Sequence, residues 1–390
     1  MTLLVICDII MAMNGEHEEY DRFILDTLAI QKEDLKGKES QGEYFTRMRE
    51  TTAVVNDIIK KYTDKVGKIS GQEPQDFLLR ITNRRTNEKP SLVASLVRSA
   101  FECAAPGADW KQHAELMAAV EMQANAYYFV NWVYDDKFLS NSADTKRSVN
   151  AAMRTKPLAE ELILDWAEKS NKHKSMLMDV LRLFSNSDFY TETAQYMDIF
   201  ENVYDKQKDK PIPEQISYAM ERTELLAQYY KNAVRLGGAL AKISPEQTHA
   251  LEEFGRNFGI AGQIANDIAD YTVVQYETFA KQYKDSFSDF KNKKMTLPLI
   301  FALAQAQGRN KSALKEMLEQ DTIKITDTDE AEVYNIMTDC GAFDTSRKYA
   351  VKHANFAKSA LRQCFDKNAR KFLSQATIMP RYNKYYALNE

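Results

Sequence analysis

Two short clusters of oxygen-donor side chains interrupt otherwise apolar stretches of this 390-residue chain. The first is Asp135-Asp136, followed by Asn141, Asp144, Lys146 and Arg147; the second is Asn266-Asp267-Ile268-Ala269-Asp270. Asp267 and Asp270 stand three residues apart, which on a helix projects both carboxylates from one face, with the Asn266 amide as a third donor beside them. Magnesium takes six oxygen ligands, keeps several waters, and is commonly held by one or two carboxylates together with substrate phosphates. Two such clusters facing one another can hold several ions around one diphosphate. The ions then stabilise the charge that builds as a carbon–oxygen bond breaks. Arg147, Arg222, Lys284 and Lys294 each lie near an acidic cluster or begin a following helix, and would complete a cationic cage. A departing allylic cation also needs an apolar wall that excludes water. Tyr128 and Trp132 suit that wall, because they lie on the same helix face as Asp135 and Asp136, one and two turns below.

Each of these residues also has an ordinary reading. Acidic pairs on helices are usually solvated surface, Arg222 and Lys294 taken singly are surface charges or helix caps, and Tyr128 and Trp132 taken singly are core. The flanking sequence favours the site: both clusters continue helices too apolar for a surface, where a charge must be paired, metal-bound or at a cavity mouth.

Holding two such clusters in place calls for long helices, and helical periodicity dominates the chain. Leu116–Tyr134 is apolar on most faces and predicts a buried central helix; Leu225–Leu240 and Ala250–Tyr271 are similar, and Thr296–Gln305 starts a helix with Pro298 in its first turn. Polar segments at residues 83–89, 139–145, 205–213 and 283–293 predict loops. Glycine is scarce, 13 in all, which leaves few tight hairpins and argues against a sheet. With 44% hydrophobic and 28% charged residues the chain can bury a large core. The expected fold is therefore all-α, with an N-terminal extension over residues 1–40 and a single large helical bundle over residues 41–390. The 52 basic residues are balanced by 56 acidic ones, so no excess positive charge exists to engage a nucleic acid. Cys7, Cys103, Cys340 and Cys364 form no CxxC pair and read as reduced, buried thiols. The apolar run Met1–Met11 is short, lacks a basic flank and contains Asp8, so neither a signal peptide nor a membrane span is expected. A cytoplasmic protein follows.

The region from Arg235 to Leu303 carries, in order, Leu236-Gly237-Gly238-Ala239-Leu240, Phe254-Gly255, Gly259-Ile260-Ala261-Gly262-Gln263-Ile264-Ala265-Asn266-Asp267-Ile268-Ala269-Asp270, then Lys284, Asp289 and Lys293-Lys294-Met295-Thr296-Leu297-Pro298. It resembles the trans-isoprenyl diphosphate synthase (polyprenyl synthetase) family: its second aspartate-rich motif, the lysine after it, and its lysine-threonine-leucine-proline helix start. Ala194-Gln195-Tyr196-Met197-Asp198 is similar to the glycine-glutamine-x-x-aspartate segment, Arg222-Thr223 to the lysine-threonine pair, and Asp135-Asp136 through Lys146-Arg147 to the long first motif. The resemblance implies an isoprenoid-synthase bundle around a central cavity. It also implies two or three magnesium ions carried by Asp135, Asp136, Asp267 and Asp270, assisted by Asn266 and Asn141. Lys146, Arg147, Arg222, Lys284, Lys294 and Gln263 would then meet an allylic isoprenyl diphosphate, with Asn131 and Thr223 joining Tyr128 and Trp132 along the tunnel. Asp135, Asp136, Asp267 and Lys284 would be the catalytic groups, in a homodimer.

The departures bear on the reaction. Leu139 and Asn141 stand where the family closes its first motif with aspartate, and Asn266 replaces an aspartate in the second. An amide donates oxygen but no charge, so one ion should bind more weakly. Where the family binds isopentenyl diphosphate through a glycine-lysine-arginine-x-arginine-proline segment, this chain reads Arg85-Thr86-Asn87-Glu88-Lys89-Pro90, and Tyr128 stands near the expected histidine. Donor chemistry is kept and the usual acceptor site is damaged. Three readings follow: a prenyltransferase with an atypical acceptor, a terpene synthase acting on one prenyl diphosphate, and a non-catalytic partner subunit of a synthase. Against the second, Asp270 and Val274 stand where the cyclase motif has serine or threonine and glutamate.

Overall fold

The computed structural model describes residues 38–70, 91–134, 142–272, 287–320 and 326–377. Its long helices are α1 (Lys38–Ser70), α2 (Leu92–Ala104), α3 (Ala114–Tyr134), α4 (Ser142–Glu168), α5 (Leu177–Tyr196), α6 (Ile212–Ala241) and α7 (Pro245–Thr272). Shorter helices follow: α8 (Leu297–Gln305), α9 (Gly308–Leu318), α10 (Asp327–Asp339), α11 (Ala342–Ala360) and α12 (Lys371–Ala376). No strand occurs among the described residues; a single bridge joins Val203 to Lys294.

Helix α3 is the buried helix its sequence predicts: Leu116, Met117, Ala118 and Ala119 are all inaccessible, although they point in successive directions around the axis. Against it and its neighbour α4 lie α1, α2 and α5. Helix α6 is the hub, touching α2 and α5 on one side and α7 on the other, while α7 carries α11 on its far face. Glycine makes two of these approaches possible. A Cβ on Gly237 would stand 2.4 Å from the Val97 carbonyl oxygen of α2, and one on Gly259 would stand 2.8 Å from Ala227 Cα of α6. The seam between α6 and α7 is therefore a backbone-to-backbone contact, and it fixes the depth at which their polar residues meet.

The loop expectations need adjustment. Helix α4 begins at Ser142, inside the segment read as loop; Ser, Asp and Thr there are the residue types that start helices as readily as they fill turns. Residues 204–207 and 288–291 likewise each form one helical turn. Pro298 sits in the first turn of α8, as expected. Cys103, Cys340 and Cys364 are free thiols, but only Cys103 is buried; Cys7 lies outside the described residues. No described helix is long and apolar enough to cross a membrane.

Candidate active site

Near the C-terminal end of α7, Asp267 is 1% exposed, on a turn whose neighbours Ile264 and Ile268 are core. One turn back, the Gln263 amide donates to Asp267 Oδ1 at 2.7 Å. Across the seam, Arg222 of α6 sets Nη1 3.2 Å from Asp267 Oδ2. The other edge of the same guanidinium grips Asp198: Nη2 donates to Oδ2 at 2.8 Å, and Nε stands 2.6 Å from Oδ1. Lys294 Nζ lies 3.8 Å from Asp198 and 3.5 Å from Asp289. All five charged groups are buried.

Two local devices deliver Asp198 and Lys294 to Arg222. Helix α5 ends in a π-turn over Met197–Glu201, closed by the Asn202 amide donating to the Met197 carbonyl at 2.6 Å. Such turns are rare and recur at functional sites. Directly beyond it the chain pairs with the segment before α8: Met295 N donates to the Asn202 carbonyl at 2.8 Å, Tyr204 N to the Lys293 carbonyl at 2.8 Å, and Asn202 Nδ2 to the Met295 carbonyl at 3.1 Å. Lys293 adopts φ +54°, an uncommon backbone region for a side-chain-bearing residue, and so reverses the chain ahead of Lys294. Asp270 organises the start of this segment. Its Oδ1 accepts from Ser288 Oγ at 2.9 Å, its Oδ2 from the Asp289 amide at 3.0 Å, and its carbonyl from the Phe287 amide.

The electrostatics follow from burial. Desolvation pushes the Asp267 carboxyl up to about 7; Arg222 pulls it down, while Asp289 and Asp198 oppose that pull. Burial lowers the Arg222 guanidinium, but Asp198 and Asp267 outweigh it, and the group stays charged.

Each carboxylate oxygen of Asp267 and Asp270 already has a partner within the chain, Gln263 and Arg222 for Asp267 and Ser288 and Asp289 for Asp270. No grouping of three or more His, Cys, Asp or Glu side chains able to hold a metal is found among the described residues. Asp135, Asp136, Asn141, Lys284 and residues 84–90 lie outside the described residues, as do the side chains of Tyr128, Trp132 and Asp144.

Of the other expected site residues, Asn266 and Asn131 are half-buried, and Lys146 and Arg147 are exposed early in α4. Thr223 is buried, its hydroxyl donating to the Ala219 carbonyl at 2.8 Å. The geometry thus brings together Arg222, Gln263, Asp267 and Lys294. It adds Asp198 and Asp289, which the sequence set in motifs without a role; an acid directly after Tyr196-Met197 was the available signal. A second polar group escaped the sequence altogether. Between α3, α5 and α6, Tyr127 Oη donates to Asp188 Oδ1 at 2.7 Å, Gln123 Nε2 to the same oxygen at 3.1 Å, and Asn232 Nδ2 to Ser187 Oγ at 2.9 Å.

A sequence model of polyprenyl synthetases matches residues 92–337, well over half the chain. The chain belongs to that family. Among curated relatives of this polyprenyl synthetase, a short chain isoprenyl diphosphate synthase of Methanothermobacter thermautotrophicus is 30% identical over 142 residues, 36% of this chain and 41% of the relative. The octaprenyl diphosphate synthase of Escherichia coli is 28% identical over 135 residues, 35% of this chain and 40% of the relative. The matched stretch thus spans about two fifths of each relative's length. The fold is shared more widely: a decaprenyl diphosphate synthase from Rhodobacter capsulatus superposes with a TM-score of 0.71 at 19% identity, covering 88% of this chain and 99% of the other. A geranylgeranyl pyrophosphate synthase from Corynebacterium glutamicum, solved with isoprenyl diphosphate and magnesium, gives 0.70 at 15% identity, covering 86% and 99%. The all-α isoprenoid-synthase architecture expected from the sequence is the one found.

Proposed function

We propose that this polyprenyl synthetase ionises an allylic isoprenyl diphosphate and transfers the prenyl group to an acceptor other than conventionally bound isopentenyl diphosphate. What supports the reading is the meeting of Arg222, Lys294 and Gln263 with Asp198 and Asp267 at one end of the α6–α7 pair, in a chain whose relatives are named as isoprenyl diphosphate synthases. A diphosphate leaves only where its charge is met by fixed cations and donors in a site of low dielectric. In this reading Lys294, with Lys146, Arg147 and Lys284, binds the diphosphate, and Asp135 and Asp136 belong to the magnesium side. Tyr128, Asn131, Trp132 and Thr223 keep water from the cation. The acceptor half of the proposal rests on Glu88 and on the loss of the lysine and first arginine of the family segment, which keeps only Lys89 and Pro90 at its end.

A second reading has its own observation. Arg222 and Asp267 neutralise each other in a buried pair, and a non-catalytic partner subunit could keep such a pair for stability alone. One assay separates the readings: incubation with magnesium and each of dimethylallyl, geranyl, farnesyl and geranylgeranyl diphosphate, with and without isopentenyl diphosphate. Prenylated products support transfer, and hydrocarbons would replace it with a terpene synthase. No consumption of any donor overturns catalysis and leaves the partner subunit. For the assembly we propose a homodimer, on the exposed stripe of Phe189, Tyr196 and Phe200 along α5 and its π-turn. Light scattering at the mass of one 44.8 kDa chain would refute it.

A further inference from the structure

The second acidic cluster is already supplied with a cation by the chain itself. The charge of Asp267 is already met from within the chain: Gln263 donates to Oδ1 at 2.7 Å, and the Arg222 guanidinium stands 3.2 Å from Oδ2, where its positive charge opposes a second cation. Arg222 is not poised to swing away. Its Nε and Nη2 are engaged by the two oxygens of Asp198 at 2.6 and 2.8 Å, so one rigid guanidinium spans two carboxylates that arrive from different helices. Only arginine can do this: a lysine ammonium is a point charge without the planar fork that meets one carboxylate edge-on while reaching a second. Asp198 is in turn held by the π-turn and its pairing with the Lys294 segment, and Lys294 is shared with Asp289. Asp270 is bound to the turn it organises. Asn266, in place of an acid, removes one more negative charge that an ion would have met.

We infer that Arg222 is the resident counter-cation of this cluster, standing where Asp267 would otherwise take a divalent ion, so that α7 contributes no metal ligand in the resting protein. The inference rests on the proposed function only for its interest; its test needs no turnover.

The test is Mn²⁺ binding to the full chain, read by electron paramagnetic resonance and calorimetry, with and without inorganic pyrophosphate. Asp267→Asn is expected to bind as many Mn²⁺ ions as the wild type, with dissociation constants changed less than about twofold; loss of a real ligand, or of a group orienting one, costs about tenfold or more. Arg222→Gln, which removes the cation shared by Asp198 and Asp267 and leaves only Lys294, 3.8 Å from Asp198 and shared with Asp289, is expected to gain one Mn²⁺ and to be stabilised by it in a thermal melt. The inference is overturned if Asp267→Asn loses an ion, or if folded Arg222→Gln binds no more than the wild type. Should Arg222→Gln not fold without metal, refolding in Mn²⁺ that restores its circular dichroism supports the inference. Failure to restore it, joined to a loss of binding in Asp267→Asn, sinks it. A wild type that binds no Mn²⁺ even with pyrophosphate would count against the proposed function instead, while the gain in Arg222→Gln would still decide the role of Arg222.

Discussion

Gly259→Ala measures how tightly the α6–α7 seam sets the site. The added Cβ would stand 2.8 Å from both Ala227 Cα and Ala227 Cβ, and 2.9 Å from Tyr230 Cδ2, whereas ordinary contact begins at 3.4 Å. The helices must therefore part by about 0.6 Å, the difference between 3.4 and 2.8 Å. Arg222 and Asp267 face each other across the same seam at 3.2 Å, and a parting of that size carries them to about 3.8 Å, beyond hydrogen-bond reach. Overpacking of this kind costs about 1–3 kcal/mol. Alanine returns up to about 1 kcal/mol of helix propensity. With the weakened buried pair included, a net loss of about 1–3 kcal/mol remains, which for a chain of this size lowers Tm by roughly 1–4 °C. Scanning calorimetry reads the shift. The control is Gly308→Ala, a position with φ +52° and open space around the missing Cβ; it should lose about 1 kcal/mol by backbone strain alone and leave the site unchanged. An unchanged or raised Tm in Gly259→Ala would mean that the two backbones do not touch there and that the seam does not set the depth of Asp267.

Asp198→Asn should destabilise by about 3 kcal/mol in urea titrations, since it leaves a buried guanidinium with one carboxylate instead of two; a loss under about 1 kcal/mol would refute the paired arrangement. Stability should also fall with acid through His113. Burial above all, helped by His173 and Lys172, holds its imidazole down at about 4. Because the unfolded chain takes up this proton near pH 6.5 and the folded chain only near 4, the contribution is complete above pH 6.5 and is lost as pH falls to 4, about 3 kcal/mol in all. A pH series of urea midpoints that stays flat over that window, or slopes equally in His113→Gln, contradicts it. Under the proposed function, Trp132→Ala should admit longer prenyl donors, seen as a shift in preference across the four diphosphates; an unchanged preference removes Trp132 from the tunnel wall.

The sequence made the helices legible because burial leaves a plain signature: α3 and α8 are apolar on nearly every face, and only a core helix can be. It also singled out Arg222, Gln263, Asp267 and Lys294, whose side chains the fold brings together from positions 72 residues apart. Their pairing was not legible. Whether an arginine faces a phosphate or a carboxylate depends on the depth of a helix seam, and Gly259 states only that the approach is close. Asp270 illustrates the same limit. Its spacing from Asp267 puts it on the metal face, yet its carboxylate also anchors the turn at Phe287–Asp289, through the Ser288 hydroxyl and the Asp289 backbone amide, the second a partner that no side-chain pattern announces. The Tyr127–Asp188–Gln123 network was hidden for a different reason: single polar residues within apolar helices look like noise until two helices aim them at one point.

The π-turn at Met197–Glu201 gives the bundle an unusual kind of adjustability. A wide turn is an ordinary helix that has absorbed one extra residue, so the chain on either side of it is out of step by about 100°. Excision of Ile199 or Phe200 would let the helix close up normally, and everything after it would rotate by that angle. Asn202 would then face away from Met295, and the anchor that steers Lys294 inward would be undone, without a change to any charged residue. The placement of Lys294 beside Asp198 is thus a matter of length as well as chemistry, open to an indel that leaves every acidic and basic residue in the chain untouched.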